Sequence, residues 1–244
     1  LIHKLFKNEM IDIHGGGWMY GYKEINKYFC LRLAQKGFLV ASINYRLAGS
    51  VLFDDQIRDI FAAFKWLGEN LSDYPADMDN IFLAGDSAGG HFACVTTAVN
   101  LNEDMQKDFG VEYIGYDFRG VAAICPAVDL LSPNFLMNVN VPILLGDKPH
   151  KSPFKKYLDV NRIVSKDFPP FYINTATGDF LRSQVYKLKK IFDKNGIEYR
   201  FHDFTEKLDE KNLAHVFNVV DPFSVYGDMA NEEIAEFFKS RIKK

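Results

Sequence analysis

The sequence has few cysteines, no long apolar run and no basic tract, and each of these absences excludes a class of protein. Its three cysteines, Cys30, Cys94 and Cys125, are an odd number and lack the paired spacings of a disulfide framework or a zinc site. They lie in apolar contexts, which predicts reduced core residues and a cytoplasmic location. No apolar run reaches the roughly 18 residues that a membrane span needs.

The charged residues are balanced and dispersed along the chain. The 29 basic and 32 acidic residues give a formal net charge of −3, without a basic tract that could follow a phosphate backbone. Nucleic acid is therefore not an expected partner. A chain of 244 residues that is 48% hydrophobic can bury a large core, and we expect one domain over residues 1–244. The sequence leaves a homodimer open.

Short apolar runs alternate with amphipathic helical patterns. The runs are bounded by Gly, Pro or Asp, which is typical of strands buried on both faces of a parallel sheet. This alternation predicts an α/β fold with a mostly parallel, doubly wound sheet and helices on both faces. Predicted strands cover residues 38–43, 81–84, 120–125, 171–175 and 197–204, and predicted helices cover about 24–36, with apolar stripes at 57–67, 185–192 and 234–242.

One segment interrupts the alternation. Residues 126–170 contain scattered prolines and no strand pattern, and they are too many for an ordinary connection. We expect this insertion to form a lid or a pocket wall.

Two glycine-rich motifs carry the chemistry. Gly85-Asp86-Ser87-Ala88-Gly89 follows a predicted strand and precedes a helix, which is the setting in which G-x-S-x-G holds a nucleophilic serine on a tight turn. His14-Gly15-Gly16-Gly17 follows the first strand. Attack of a serine on an ester carbonyl creates an oxyanion, and preplaced N–H donors stabilise it. We therefore predict that the amides of Gly16, Gly17 and Ala88 form an oxyanion hole, with a simple turn as the alternative for the glycines.

A nucleophilic serine needs a base, and His215 is the favoured candidate. In hydrolases with this serine turn the chain order is Ser, then Asp or Glu, then His. Of the six histidines, His215 lies on a loop after the last predicted strand. His202 is the alternative, although its place in an alternating strand favours a solvated face. His14 is expected to fix the glycine loop by hydrogen bonding.

The base needs an orienting acid, and Asp179 is the favoured candidate. It directly follows the predicted strand at 171–175, at the carboxyl end where active groups collect. Asp129, after the strand at 120–125, is the alternative; a helix or turn cap is its ordinary explanation.

At this point the sequence resembles the hormone-sensitive-lipase-like family of carboxylesterases and lipases. The residues that carry the resemblance are HGGGW (14–18), NYRLA (44–48), GDSAGG (85–90), FPPFYINTATGDFLR (168–182) and the AHVF around His215. The resemblance implies an α/β-hydrolase fold, hydrolysis of short-acyl esters and no metal or organic cofactor. It assigns the nucleophile to Ser87, the acid to Asp179, the base to His215 and the oxyanion amides to Gly16, Gly17 and Ala88.

The sequence departs from the family pattern at several positions. Only 13 residues precede His14, so we expect the family's N-terminal cap to be absent or reduced. His91 stands where Asn is usual, and Ser183 replaces a common acidic residue. The gap from Phe204 to His215 is long.

The aromatic residues beside these motifs suggest the substrate. Trp18, Tyr20 and Phe180, together with Met19, are expected to wall a small acyl pocket, with ordinary packing under the loops as the alternative. We predict a small-molecule ester with an acetyl to butyryl group as substrate. Two other functions remain open, an arylformamidase-like amide hydrolase, suggested by His91, and a non-catalytic small-molecule receptor on the same fold.

Overall fold

A computed structural model describes residues 8–71, 74, 76–133 and 139–243. Its centre is a six-stranded sheet in which every neighbouring pair is parallel. The spatial order is β2-β1-β3-β4-β5-β6. The strands are β1 (Asn8–Ile13), β2 (Phe38–Ile43), β3 (Ile81–Asp86), β4 (Gly120–Ile124), β5 (Phe171–Ala176) and β6 (Tyr199–Phe204).

Helices cover both faces of the sheet, as the alternating pattern predicts. They are α1 (Lys27–Gln35), α2 (Phe53–Asn70), α3 (Ala88–Asn100), α4 (Glu103–Phe109), α5 (Asn140–Leu145), α6 (Arg182–Asn195), α7 (Phe217–Val220) and α8 (Val225–Lys239). A small antiparallel hairpin, β7 (Lys207–Leu208) and β8 (Lys211–Asn212), follows β6. None of the helices in the described residues is both long and apolar enough to cross a bilayer.

The period of two along each strand divides the core between the two faces. Met10 of β1 packs in the layer that contains residues of α1 and α8, whereas its neighbour Ile11 packs in the layer that contains residues of α2, α3 and α6. The stripe of α2 from Ile57 to Leu67 is buried as its spacing predicts. Helix α6 ends at Gly196, which has a left-handed φ of 68° that glycine adopts without strain.

The strand order places a crevice between β1 and β3. The chain leaves β1 for the outer strand β2 and then crosses back to β3 on the other side of β1. Loops after β1 and β3 therefore run apart, and such a switch point is where open α/β sheets bind ligands. The loop after β1 begins at His14, and the loop after β3 begins at Ser87.

Several element boundaries differ from the sequence prediction: β3 extends to Asp86, β5 extends to Ala176, and β6 begins at Tyr199. The first turn of the helix predicted over 24–36 is a 3-10 turn, Lys23–Asn26, and α1 begins at Lys27. The strand predicted over 120–125 ends at Ile124, because Cys125 has a φ of 44° that leaves the extended region. The predicted insertion contains α5 and several 3-10 turns but no strand among residues 126–133 and 139–170. Its residues 134–138 lie outside the described residues.

Candidate active site

Ser87 occupies a strained turn between β3 and α3. Its φ of 54° is rare for a residue with a side chain. The flanking glycines are required by space, because a Cβ at Gly85 would lie 2.3 Å from the carbonyl oxygen of Gly89. The turn therefore stays tight and keeps the Ser87 hydroxyl at the carboxyl end of the sheet.

The structure brings Ser87, His215 and Asp179 into one hydrogen-bonded chain. The Oγ atom of Ser87 lies 2.9 Å from Nε2 of His215. Nδ1 of His215 lies 2.6 Å from Oδ1 of Asp179. These are the contacts that a nucleophile, a general base and an orienting acid require.

Asp179 is held ionised by the groups around it. Burial raises its pKa, but the hydrogen bond and charge of His215 and the hydroxyl of Thr175 oppose that effect, and the pKa lies below its ordinary value. Thr175 Oγ1 donates to Oδ2 over 2.7 Å, and the Leu181 amide donates to Oδ1 over 2.8 Å. The carboxylate is thus fixed in orientation as well as in charge.

The His215 loop returns to the sheet beside Asp179. The long gap after β6 is a hairpin excursion that runs from Phe204 to Leu213. At its start the Thr177 amide donates to the carbonyl of Phe204 over 3.0 Å, and at its end the Gly178 amide donates to the carbonyl of Leu213 over 2.9 Å. Adjacent amides at the end of β5 therefore hold both ends of the excursion. The length of the gap does not move the base away from the acid.

The two alternative residues are engaged elsewhere. Asp129 forms an ion pair with Lys187, and its amide donates to Gln184 over 2.8 Å. His202 lies with Nδ1 2.9 Å from Oε1 of Glu233. The structure therefore brings neither Asp129 nor His202 to Ser87, and His202 is half-buried rather than on a solvated face.

The glycine loop lies in backbone contact with the serine turn. A Cβ at Gly89 would lie 2.0 Å from the carbonyl oxygen of Ile13. The φ values of Gly16 and Gly17 are 113° and 59°, and a Cβ at Gly16 would lie 2.0 Å from the carbonyl oxygen of Tyr20. Only glycine fits this path.

The amides of this loop differ in whether they donate a hydrogen bond within the described residues. The Gly15 amide donates to Asp86 over 2.9 Å. Within the described residues, the amides of Gly16 and Gly17 donate to no other group. Ala88 is the first residue of α3, so its amide has no carbonyl acceptor within the helix. Among the described residues, the amides of Gly16, Gly17 and Ala88 thus have no hydrogen-bond acceptor.

Two buried carboxylates lie beneath the glycine loop, and sequence reasoning missed one of them. Asn26 donates its side-chain amide to Asp86 over 2.8 Å and to both oxygens of Asp12 over 3.2 Å. Ser42 donates to Asp12 over 2.8 Å. Burial, and then the charge of Asp86, raise the pKa of Asp12 to about 7. The signal available in the sequence was a charged residue inside the apolar strand MIDI.

The aromatic residues expected to contact substrate differ in exposure. Trp18 has no exposed surface and packs edge-on against His91, so its ring lies in the core as the packing alternative supposes. Tyr20 is 67% exposed and Phe180 is 55% exposed. The ring of Phe180 lies 4.2 Å from the imidazole of His215, centroid to centroid. Phe180 is therefore beside the reacting groups and open to solvent.

The predicted insertion reaches the glycine loop. The side-chain amide of Asn140 donates to the carbonyl of Gly17 over 3.4 Å. Helix α5, which begins at Asn140, exposes Ile143. This contact is what a segment that walls the crevice would make.

Three potential metal ligands meet at the site. Atoms of Cys125, Asp179 and His215 lie within 4.8 Å of one another. The 2.6 Å between Nδ1 of His215 and Oδ1 of Asp179 is a hydrogen-bond distance. Two ligands of a tetrahedral zinc ion stand about 3.3 Å apart, given bonds of about 2.0 Å. The cluster therefore has the geometry of a hydrogen-bonded pair beside a thiol rather than of a metal site.

Comparisons with known proteins identify a family and solved structures that are similar to this chain. The sequence model of a family described as BD-FAE matches residues 5–186. The crystal structure of esterase B from Lactobacillus rhamnosis is 30% identical with a TM-score of 0.89, over 97% of this chain and 76% of that one. The same esterase has been solved inhibited by a C4-C4 SN3 tributyrin phosphonate, with a TM-score of 0.88.

Curated relatives are longer than this chain. A probable carboxylic ester hydrolase, LipM, of Mycobacterium tuberculosis is 26% identical over 88% of this chain and 53% of its own length. Neutral cholesterol ester hydrolase 1 of Bos taurus is 31% identical over 57% of this chain and 34% of its own length. The chain thus spans about a third to a half of these two relatives.

Proposed function

This chain belongs to the BD-FAE family, within the hormone-sensitive-lipase-like α/β-hydrolases, and on that premise we propose that it is a serine esterase for short-chain acyl esters. One observation carries the proposal. The imidazole of His215 bridges Ser87 and Asp179, and the amides of Gly16 and Gly17 donate to no acceptor among the described residues. The same arrangement supports acyl transfer through a covalent serine intermediate.

The reaction has two steps, each using the same groups. His215 Nε2 accepts the proton of Ser87 as the hydroxyl attacks the ester carbonyl, and the oxyanion accepts hydrogen bonds from the amides of Gly16, Gly17 and Ala88. His215 returns the proton to the leaving alcohol. Water then attacks the acyl-enzyme with His215 as base, and Ser87 leaves with its proton restored.

Asp179 contributes orientation and charge in both steps. Its ionised carboxylate fixes the imidazole so that Nε2 faces Ser87, and it stabilises the imidazolium that forms. Close contacts fix the backbone of the glycine loop at Gly16, which supports a role for its amides that needs little reorganisation as charge develops on the substrate.

We assign acetyl to butyryl esters as the substrate class. Met19 and Tyr20 are exposed on the glycine loop, and Phe180 covers one side of His215. Asn140 of the insertion contacts the glycine loop at the carbonyl of Gly17. The phosphonate in the related esterase B carries the name of tributyrin, which supports short acyl groups here.

The amide-hydrolase and receptor alternatives receive no support from the site. His91, which suggested an amide hydrolase, is fully buried among Trp18 and Phe53, and burial lowers its pKa to about 4. A receptor has no use for a base bonded to the serine. Comparing turnover of a formanilide with that of phenyl acetate separates the first alternative, and labelling by a fluorophosphonate separates the second.

The test of the proposal is the Ser87→Ala variant on a series of p-nitrophenyl esters. Wild-type protein is expected to be most active on two- to four-carbon acyl groups, and the variant to lose about 10⁴-fold or more in kcat. Near-normal activity of the variant would exclude the mechanism. Highest activity on acyl groups of ten or more carbons would exclude the substrate class.

A further inference from the structure

The segment that follows β4 touches the backbone of the nucleophile from both sides. The Ser87 amide donates to the carbonyl of Ile124 over 2.9 Å, and the Ala127 amide donates to the carbonyl of Ser87 over 3.1 Å. Between these two contacts lies Cys125, whose side chain has no exposed surface.

The direction of the Cys125 side chain results from the break in the strand. In β4 the residues Ala122 and Ile124 face one layer of the core, while Val121 and Ala123 face the other. Continued alternation would turn Cys125 to the second layer. Its φ of 44° turns it instead to the same layer as Ile124, where Val216 also packs.

In this position the sulfur of Cys125 meets both partners of the acid–base pair. The Val216 amide, directly after His215, donates to Sγ over 3.4 Å. Sγ, a carboxylate oxygen of Asp179 and a ring nitrogen of His215 all lie within 4.8 Å of one another. Burial, and then the charge of Asp179, raise the pKa of the thiol well above its usual range, so it keeps a proton to donate.

The loop that carries His215 needs such a contact. Val216 is β-branched and has a φ of 50°, a conformation that persists only where surrounding contacts impose it. On the N-terminal side of His215, the Gly178 amide holds Leu213. On the C-terminal side, the bond from the Val216 amide to Cys125 is the matching contact. His215 thus lies between two fixed points.

We propose that Cys125 is a positioning residue for the triad, whose sulfur accepts from the Val216 amide and donates to Asp179, and thereby sets the distance between acid and base. The inference rests on the proposed function, since it assigns a role within the same site. Through the contacts of Ile124 and Ala127 with Ser87, one short segment holds all three members of the triad in register.

The test compares Cys125→Ala with Cys125→Ser and with Cys94→Ala. Cys94 is also fully buried, lies in α3 and faces none of the three triad residues, so its variant removes the same atoms from a core position alone. Cys125→Ala is expected to lower kcat by about 10- to 100-fold with little change in KM, as misplacement of a catalytic group does. Cys125→Ser keeps a donor and an acceptor and should restore most of the loss.

Two readouts separate positioning from a general loss of stability. The acid limb of the pH profile of kcat/KM should shift in Cys125→Ala and not in Cys94→Ala, because Asp179 loses a donor and its distance from the imidazole changes. The downfield proton resonance of His215 Nδ1–H should shift or broaden in the same variant and remain unchanged in Cys94→Ala.

The proton resonance does not depend on ester turnover, so it distinguishes two failures. If wild-type protein hydrolyses no ester of the series, the proposed function fails while the resonance still tests the role of Cys125. If Cys125→Ala keeps the wild-type resonance, kcat and pH profile, Cys125 is a core residue only and the inference is overturned.

Discussion

Replacing Asp12 by Asn should make the stability of this protein less sensitive to pH. Asp12 is fully buried beside Asp86, and their shared partner Asn26 is neutral. The pKa of Asp12 is about 7 in the folded chain, against about 3.9 in an unfolded one. Asn can keep one bond from Asn26 with its carbonyl oxygen while its amide faces Ser42, so the substitution removes the charge together with the weaker contact from Cys30 and the second bond from Asn26.

The sign follows from the direction of the shift. A raised pKa means that the folded state holds the proton more tightly, so stability is fully present below about pH 4 and is lost as pH rises towards 7. About three pKa units correspond to about 4 kcal/mol at pH 8, of which about 1.5 kcal/mol is already lost at pH 5. The advantage of Asp12→Asn over wild type should therefore grow by about 2–3 kcal/mol between pH 5 and pH 8.

The other titratable groups around this carboxylate are His14, Cys30, Tyr45 and Asp86. Burial lowers the pKa of His14 and raises the pKa values of Cys30, Tyr45 and Asp86. Asp86 remains in the variant, so the difference between the two proteins isolates Asp12.

Urea denaturation of both proteins at pH 5, 6, 7 and 8 measures the difference in the free energy of unfolding. The control is Asp79→Asn, which makes the same chemical change at an exposed carboxylate. If the free energies of unfolding of Asp12→Asn and wild type differ by an amount that stays constant within about 0.5 kcal/mol from pH 5 to pH 8, the raised pKa of Asp12 is refuted.

Two further predictions concern the site. Asp179→Asn should lower kcat by about 10⁴-fold in a steady-state ester assay while the fold is retained by circular dichroism, because the imidazole loses its orienting charge; a loss below tenfold would contradict the role of Asp179. Gly16→Ala should lower kcat by at least about 100-fold, because a Cβ 2.0 Å from the Tyr20 carbonyl displaces an oxyanion donor. Gly37→Ala, at a φ of 100° with open space around it, controls for backbone strain alone and should leave kcat unchanged.

The elements that the sequence predicts best are those whose pattern is local. Strand β2 coincides with the apolar run at 38–43, and the stripe of α2 is buried as spaced. The strand at 120–125 was predicted one residue too long, because the turn at Cys125 depends on contacts with β3, β5 and the His215 loop. Hydrophobic periodicity in the sequence does not predict such long-range contacts.

The same division holds within the site. Motif and chain order indicated Ser87, Asp179 and His215, and the structure brings these three together. The position of Trp18 beside the glycines suggests substrate contact, yet its ring is buried against His91, a contact with α3 that no local pattern reports. The roles of Asp12 and Cys125 depend on contacts with residues that are distant in sequence, so the apolar runs in which they stand do not predict them.

The excursion between β6 and the His215 loop has a consequence for engineering. Neighbouring amides at Thr177 and Gly178 bond to Phe204 and Leu213, so both ends of the excursion are fixed to the end of β5, whatever the length of the chain between them. Residues 209–210, in the exposed turn between β7 and β8, are thus the natural place to graft a reporter or an affinity tag.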